Sequence, residues 1–307
     1  MGSEMCIRDS TYIVERPMTK PKLSEISNNY SLILCDIWGV VHNGNNLFPE
    51  AINSLSSYLE TGGDICLITN APRKSDIIRD YLLNMGVRDD VCRNIVSSGD
   101  CSYSWLASIK DNPVFHIGPE KDNSLFLGLD LKKVNEFDCL ECICTGFFDE
   151  YTESIDDYQK ILETLLKRGI ALHCANPDLY VNKGNIHLPC AGLIAQSYSR
   201  MGGEVVYFGK PHSFIYELAL ERALASKHDN LSKKNILAIG DGLNTDIAGA
   251  SNFGIDSFFI INGVHQREFQ KNNETSEIDN DTVRDYINKY YTNVVTPKYI
   301  MNSLNLL

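Results

Sequence analysis

LILCDIWGVVHNG, residues 32–44, is the stretch that decides how the rest of this chain folds. It begins as a continuous apolar run, ends that run on Asp36 and continues into a glycine-punctuated segment typical of a hairpin. A short apolar run of this kind predicts a strand buried on both faces of a parallel sheet. Enzymes with such sheets keep their reactive side chains at the carboxyl ends of the strands. The stretch therefore predicts a functional carboxylate at Asp36.

Around this strand, short apolar runs alternate with helical patterns, which is typical of an α/β fold with a parallel sheet covered by helices. Strands of one larger unit are predicted at SLILCD, DICLITN, NIVSSGD, EVVYFGK, NILAIGD and DSFFIING. Pro49 and Gly62 bound the helix between the first two strands, and Ser75 is predicted to cap the next helix.

A second, smaller α/β unit is predicted in the middle of the chain, at PVFHIG, CLECICTGF, IDDYQKILETLLKRG and IALHCANPD. The predicted domains are 21–101 and 188–307 for the two parts of the larger unit and 102–187 for the insertion. Residues 1–10 show no periodicity and are left out of the fold prediction. The polar tract at 271–282 is expected to be a surface loop before a final helix.

Composition narrows the classes of partner. The 307 residues carry 28 Lys and Arg against 40 Asp and Glu, a formal net charge of −12. This charge argues against a nucleic-acid or anionic-membrane partner held by bulk attraction, and we expect neither. We also expect no membrane span and no signal peptide, while ten scattered cysteines suit reduced thiols in a cytoplasmic protein. The sequence leaves the oligomeric state open, a homo-oligomer included.

Polar side chains follow four of the predicted strands. They are Asp36, Thr69, Asn70, Lys210, Asp241 and Asp246. Because the carboxyl ends of parallel strands open on one edge of the sheet, we expect these side chains to converge on one crevice. A carboxylate nucleophile, hydroxyl and amide donors, an ammonium and a carboxylate pair suit phosphoryl transfer. Mg²⁺ prefers a few carboxylates with water and substrate oxygens, which matches Asp36 with Asp241.

Each of these residues has an ordinary structural explanation when taken alone. A lone Asp after a strand is usually a turn or helix cap, and GDGLNTD alone could cap the next helix. A dinucleotide-binding loop fits poorly, because no G-x-G-x-x-G follows any predicted strand. The order of the residues, each at a strand end, is what favours a functional site.

In this order the motifs resemble those of the haloacid dehalogenase-like (HAD) hydrolases, specifically the class IIA or NagD-like branch. The matching segments are DIWGVVHNG, LITNAPR, GKPHSFIYE and GDGLNTDIAGA, with ANPD at 175–178 and the CAGLIAQSYSRMGG after it. The similarity covers roughly residues 30–265. It implies a Rossmann-like parallel-sheet core with an inserted, smaller and mobile α/β cap domain.

The resemblance also implies roles for the residues at the strand ends. Asp36 would be the nucleophile that forms an aspartyl-phosphate, while Thr69 and Lys210 would hold the transferring group. Asn70 would orient the phosphate. The implied cofactor is Mg²⁺. Its implied ligands are Asp36, the backbone carbonyl of Trp38, Asp241 and Asp246.

Trp38 departs from the family pattern. HAD phosphatases normally carry an Asp two residues after the nucleophile, which protonates the leaving oxygen and later activates water. A general acid–base is worth about 10²–10⁴ in rate, so its loss alone does not abolish catalysis. His42 could replace the acid if the hairpin folds it over the site; the alternative is a histidine that contacts backbone or substrate. In the cap, Asn176 and Asp178 would help select the substrate.

Three hypotheses remain at this point. The first is a Mg²⁺-dependent HAD phosphatase acting on a small phosphorylated metabolite, slowly or on an activated ester. The second is a non-catalytic module that binds a phosphorylated metabolite. The third is cleavage of a C–P or C–halogen bond, which would need a further group such as a Schiff-base lysine. Candidates by location alone are Lys121, Lys132, Lys133 and Lys183.

Overall fold

The computed structural model describes residues 18–109, 111–184, 186–224, 231–270, 280–291 and 296–304. The predictions for residues 1–10 and for the part of the polar tract at 271–279 lie outside the described residues. Within the described ranges, none of the helices combines the length and apolar character that a membrane crossing needs.

The strands within the described residues are short and spread along the whole chain. They are β1 (Leu32–Asp36), β2 (Asp64–Thr69), β3 (Ile95–Ser97), β4 (Val114–Ile117), β5 (Lys133–Val134), β6 (Glu141–Cys144), β7 (Leu172–Cys174), β8 (Tyr180–Lys183), β9 (Ile186–Pro189), β10 (Val205–Tyr207), β11 (Ile236–Gly240), β12 (Asp256–Ile260) and β13 (Tyr299–Met301).

Helices separate most of these strands. They are α1 (Leu23–Ile26), α2 (Pro49–Glu60), α3 (Ser75–Met85), α4 (Ser98–Ile109), α5 (Gln159–Lys167), α6 (Ala191–Arg200), α7 (Ser213–Leu224), α8 (Ala248–Phe253), α9 (Gln266–Gln270) and α10 (Asn280–Tyr290). Pro49 is the first residue of α2, as predicted. Ser75, predicted as a cap, is instead the first residue of α3, and its backbone N–H donates to the Asp100 carboxylate over 2.9 Å.

The larger sheet has six described strands in the order β13-β12-β11-β1-β2-β3, and every neighbouring pair is parallel. β1 lies inside the sheet, and its side chains are buried on both faces. Ile33 and Cys35 pack in the cluster that includes α2 and α3, whereas Leu32 and Leu34 pack in the cluster that includes α7 and α8. The apolar run at 32–35 therefore reflects a strand covered by helices on both sides.

The second sheet has five described strands, all parallel, in the order β10-β7-β6-β4-β5. α5 and α6 pack against it through residues such as Leu162, Leu165 and Ile194. β8 and β9 form a separate antiparallel hairpin. The chain thus contains a smaller α/β unit inserted into the larger one.

Two details of the predicted organisation need correction. The EVVYFGK strand, assigned to the larger sheet, is β10 and pairs with β7 in the second sheet. The second unit therefore extends past the predicted join at residue 187. The other join, at residues 101–102, falls inside α4, which reaches both units because Cys101 packs in the larger core and Leu106 against the second sheet.

Candidate active site

The carboxyl ends of the central strands bring five predicted site residues into one crevice. Asp36 ends β1, Thr69 ends β2, and Asp241 directly follows β11. Asp246 lies in a π-helical turn, Leu243–Ile247, and Lys210 follows β10 by three residues. All five side chains are buried.

Lys210 is held between two carboxylates. Its Nζ lies 2.5 Å from Asp36 Oδ1 and 2.7 Å from Asp246 Oδ1, and it also donates to the Ile68 carbonyl over 3.3 Å. Hydrogen bonds between charged groups at such distances are strong and directional. The ammonium is therefore positioned at the tip of β1, beside the Asp36 carboxylate.

Three carboxylates converge beside this ammonium. Asp36, Asp241 and Asp246 each offer one oxygen, and these oxygens lie within 4.8 Å of one another. Two of the carboxylates are oriented by backbone donors: Val264 N–H donates to Asp241 Oδ2 over 2.6 Å, and Gly242 N–H donates to Asp246 Oδ2 over 3.0 Å. A buried set of carboxylate oxygens suits a hard divalent cation.

Glycines make room for Asp241. A Cβ at Gly39 or at Gly263 would lie 1.9 Å from Asp241 Oδ2, and Gly39 also has a φ of +89°. Both positions therefore require glycine. Sequence reasoning missed both residues. The available signal was position: Gly39 follows Trp38, and Gly263 lies just beyond β12, at the same edge of the sheet as the carboxylates.

The charges of this site do not balance. Burial raises the pKa of Asp36 to about 8, with Lys210 opposing the rise and Asp246 adding to it. Burial and the neighbouring Asp36 raise the pKa of Asp241 well above its usual range. Burial alone would lower the pKa of Lys210, but Asp246 and Asp36 outweigh it and the pKa lies well above its ordinary value. Three carboxylates facing one ammonium leave room for a further positive charge, which a divalent cation would supply.

Asn70 holds the backbone of Lys210. The Lys210 N–H donates to Asn70 Oδ1 over 2.7 Å, and Asn70 Nδ2 donates to the Lys210 carbonyl over 3.1 Å. The same amide donates to Asp178 Oδ1 over 2.9 Å. Asn70 therefore links the lysine of the site to the ANPD segment that follows β7.

Trp38 contacts the β8–β9 hairpin. Its Nε1 donates to the Asn182 carbonyl over 2.8 Å, and the nearby Gly184 N–H donates to the Asn43 carbonyl over 3.2 Å. The position that carries an acid in the family thus carries a residue that binds the second unit to the first.

His42 is buried and bonded to its own hairpin. Its Nδ1 accepts the Gly44 N–H over 2.9 Å, and its ring packs edge-on against Trp38 and Tyr81. Burial lowers the pKa of His42 to about 4. These contacts match the alternative in which His42 contacts backbone, and they leave it neutral near pH 7.

Two cavities meet at this site. The first, of about 700 Å³, is lined by Asp36, Lys210, Asp241 and Asp246 among others. The second, of about 370 Å³, lies beside it and includes His42 and Asn176. Both cavities are lined by Trp38, Thr69, Asp178 and Val181. Of the predicted site residues, His42 and Asn176 therefore line only the second cavity, and Asn176 uses its Oδ1 to accept the Asp178 N–H over 3.1 Å.

Comparison with known proteins gives consistent matches. Residues 33–132 match the model of a haloacid dehalogenase-like hydrolase, and residues 207–289 match a model described as HAD-hydrolase-like. A solved hydrolase of the haloacid dehalogenase-like family from Brucella suis 1330 is 34% identical, with a TM-score of 0.80 over 94% of this chain and 99% of that one.

Curated relatives match at lower identity. An acid sugar phosphatase of Staphylococcus saprophyticus is 25% identical over 78% of this chain and 90% of its own length. The ribonucleotide monophosphatase NagD of Escherichia coli K12 is 22% identical over 76% of this chain and 88% of its own length. These relatives match most of the chain, both units included.

Proposed function

Because the chain belongs to the haloacid dehalogenase-like hydrolases, in their class IIA branch, we propose that it is a Mg²⁺-dependent phosphatase of small phosphorylated metabolites. The observation that carries this proposal is the placement of the Lys210 ammonium between Asp36 and Asp246, with Asp241 beside them. Relatives named as phosphatases of sugars and nucleotides support the same reaction class.

In the proposed reaction, Asp36 attacks phosphorus and the bond from phosphorus to the leaving oxygen breaks. This forms an aspartyl-phosphate, which water then hydrolyses to inorganic phosphate and the free carboxylate. Lys210 and Thr69 hold the phosphoryl oxygens, and Asn70 keeps the lysine backbone in place.

The proposed Mg²⁺ ligands are Asp36, Asp241, Asp246 and the Trp38 carbonyl. A bound Mg²⁺ would supply positive charge to offset that of the three carboxylates. Asp241 is already oriented for this task by the Val264 N–H, and the cradle formed by Gly39 and Gly263 keeps its carboxylate close to the backbone.

The test is phosphate release from a panel of phosphorylated metabolites, with and without Mg²⁺. We expect Mg²⁺-dependent release, and loss of about 10³-fold or more in Asp36→Asn because the nucleophile is removed. Asp281→Asn serves as the matched control, because that carboxylate lies on α10 with 84% of its side chain exposed.

Two alternatives have separate outcomes. A non-catalytic binding module is favoured by Trp38, which carries no acid. This alternative predicts ligand binding by calorimetry without release of phosphate, and release only after Trp38→Asp.

C–P or C–halogen cleavage through a lysine has less support. Lys121 is paired with Glu150 and Lys183 donates to the Tyr151 hydroxyl, while Lys132 and Lys133 line neither cavity.

A further inference from the structure

We infer that Asp178 gives a proton to the leaving oxygen, so that the inserted unit supplies the acid that position 38 lacks. The inference rests on the proposed phosphatase function and deepens it by naming a further catalytic residue. Three features support it: the place of Asp178 between the two cavities, the orientation of its carboxyl group, and the engagement of the other carboxylates in other contacts.

Asp178 lies where the two cavities meet. It is the fourth residue after β7, and it is the one carboxylate of the described residues that lines both cavities. Its charge is felt at the reaction centre, because it contributes to the raised pKa of Asp36 and of Lys210. In-line attack by Asp36 leaves the departing oxygen on the far side of phosphorus, in a cavity that Asp178 lines from the inserted unit.

Asn70 determines which oxygen of Asp178 can carry a proton. The Lys210 backbone fixes the Asn70 amide, since Oδ1 accepts the Lys210 N–H and Nδ2 donates to the Lys210 carbonyl. Nδ2 also donates to Asp178 Oδ1 over 2.9 Å, so this oxygen is an acceptor. Within the described residues, no hydrogen bond engages the other oxygen, Oδ2. A proton on Asp178 therefore belongs to Oδ2.

The backbone of Asp178 is also held in place. Its N–H donates to Asn176 Oδ1 over 3.1 Å, and its carbonyl accepts the Gly192 N–H over 3.1 Å. A Cβ at Gly192 would lie 2.5 Å from that carbonyl oxygen, so the close approach requires glycine. The carboxyl group is thus positioned by contacts on both its side chain and its backbone.

The surroundings of Asp178 favour its protonated form. Burial raises the pKa of Asp178 above its ordinary value, although Lys210 and the Asn70 hydrogen bond oppose the rise, and Asp246 adds to it. A bound phosphoryl group brings further negative charge, which raises the pKa of a neighbouring carboxyl group. Asp178 is therefore suited to bring a proton into the reaction.

The other carboxylates of the cavities are engaged elsewhere. Three in the first cavity are the proposed nucleophile and cation ligands. In the second cavity, Asp122 Oδ1 lies 3.1 Å from Arg73 Nε. Glu150 pairs with Lys121. Glu50 is exposed at the start of α2 and lines only the first cavity. Among these residues, the carboxyl group of the ANPD segment is the one left for proton transfer.

The proposed steps balance without a further reactant. Asp36 bonds to phosphorus, the P–O bond to the leaving group breaks, and its electron pair stays on the ester oxygen. Asp178 Oδ2 gives its proton to that oxygen, so the alcohol departs neutral and Asp178 becomes a carboxylate. Water then attacks the aspartyl-phosphate and passes a proton to Asp178 as the bond from phosphorus to Asp36 breaks.

Asp178→Asn tests the inference, because asparagine keeps an oxygen that can accept from Asn70 but has no acidic proton. With ethyl phosphate and Mg²⁺, kcat/KM should fall by about 10²-fold or more, since an alkoxide needs a proton to depart. With 4-nitrophenyl phosphate, whose leaving group departs as a stable anion, kcat/KM should fall by less than about tenfold. Asp138→Asn is the matched control, because Asp138 is an exposed aspartate of the same unit and lines neither cavity.

Position 38 gives a second test that does not depend on the folding of Asp178→Asn. The wild type already has an acid under this inference, so Trp38→Asp alone should raise kcat/KM for ethyl phosphate by less than about tenfold. Combined with Asp178→Asn, the same substitution should recover about tenfold or more of the lost activity. A gain of about 10²-fold in Trp38→Asp alone would show that no acid was present and would overturn the inference.

Two further results would also overturn the inference and leave the proposed phosphatase standing. One is an equal loss for the two esters in Asp178→Asn, which a purely structural role of Asp178 would give. The other is a wild type that hydrolyses 4-nitrophenyl phosphate but no alkyl ester of the panel. Absence of phosphate release from every compound with Mg²⁺ would overturn the proposed function as well.

Discussion

At position 38 the chain carries an indole, which hydrogen-bonds to the β8–β9 hairpin, where the family pattern has an acid that transfers a proton. The family pattern places an acid two residues after the nucleophile, whereas Trp38 donates its N–H to the Asn182 carbonyl of the β8–β9 hairpin. The residue that could have replaced the acid, His42, is buried and bonded to Gly44. Neither residue is therefore placed to give a proton to a leaving oxygen.

His42→Asn tests this interpretation, because asparagine keeps an acceptor for the Gly44 N–H. If His42 supplies no proton, kcat should fall by less than tenfold, far short of the roughly 10²–10⁴ expected for a lost general acid.

The same substitution should also change how the free energy of unfolding depends on pH. The pKa of His42 is about 4 in the folded protein, against an ordinary value of 6.5, so the unfolded chain takes up this proton first as the pH falls.

In the wild type, the difference between the pKa values of His42 in the folded and unfolded states lowers the free energy of unfolding as the pH falls from 6.5 towards 4. When the pH is lowered from 7 to 5, we expect the free energy of unfolding of His42→Asn to fall by about 2 kcal/mol less than that of the wild type. Urea unfolding of both proteins at the two pH values measures this. Equal losses would show that His42 is not held neutral by burial.

The sequence predicted where those side chains lie that follow strands. Asp36, Thr69 and Asp241 lie at strand ends, and an apolar run shows where a parallel strand stops. The contacts of Asn70 could not be predicted, because its amide bonds to Lys210 and Asp178, which lie 140 and 108 residues away. No local pattern encodes such a pairing.

Among the elements, the β8–β9 hairpin contributes to both cavities of the site. Tyr180, Val181 and Asn182 of β8 line the first cavity, and Lys183 lines the second. The Trp38 and Asn43 hydrogen bonds attach this hairpin to the segment after β1. Its position therefore sets the shape of both cavities.

Trp38→Phe should loosen the hairpin, because phenylalanine keeps an aromatic ring but cannot donate to Asn182. Losing one hydrogen bond of about 1 kcal/mol predicts about fivefold faster hydrogen exchange in the hairpin. Exchange measured by mass spectrometry on peptides covering 180–189 reports this directly.

Trp105→Phe is the control for that experiment. The Trp105 ring stacks on His173 of β7, with 3.8 Å between the ring centroids, so its replacement should leave exchange at 180–189 unchanged. Unaltered exchange in Trp38→Phe would mean that the indole N–H does not hold the hairpin.

The placement of β10 shows where prediction of elements stops. EVVYFGK has the apolar pattern of a strand, and the strand exists. Which sheet it joins depends on β7, more than thirty residues earlier, and the two sheets are both parallel and helix-covered. A strand of the same pattern fits either sheet, so the sequence alone could not assign it.

For the whole molecule, Mg²⁺ should stabilise the fold in a pH-dependent way. With a pKa of about 8 for Asp36 and a raised pKa for Asp241, the folded protein keeps protons that the unfolded chain loses near pH 4. These groups therefore lower the stability of the metal-free protein as the pH rises from 4 to 8. A divalent cation binds the deprotonated carboxylates, so its effect should be greater at pH 8 than at pH 6.

Thermal unfolding with and without Mg²⁺ at the two pH values measures this effect. At ten times its Kd, Mg²⁺ adds about 1.4 kcal/mol, which raises Tm by about 2 °C at pH 8 for a chain of this length. Asp241→Asn should lose most of this rise. A rise of equal size at both pH values, or one that persists in Asp241→Asn, would contradict the proposed cation site.

The fold class was predictable because both units repeat one local rule, an apolar strand followed by a helix. The boundaries between the two units were harder to predict from the sequence. α4 contributes Cys101 to one core and Leu106 to another, so no break in composition marks the first join. Long-range packing decides such boundaries.

The short segment from β10 to Lys210 connects the second sheet directly to the candidate active site. Only two residues, Phe208 and Gly209, lie between the end of β10 and Lys210, and the Phe208 carbonyl accepts the Ser98 hydroxyl. Rotation of the smaller unit would therefore pull on the lysine's own backbone. The Asn70 amide bonds to both the N–H and the carbonyl of Lys210, so it would oppose that displacement and keep the ammonium beside Asp36.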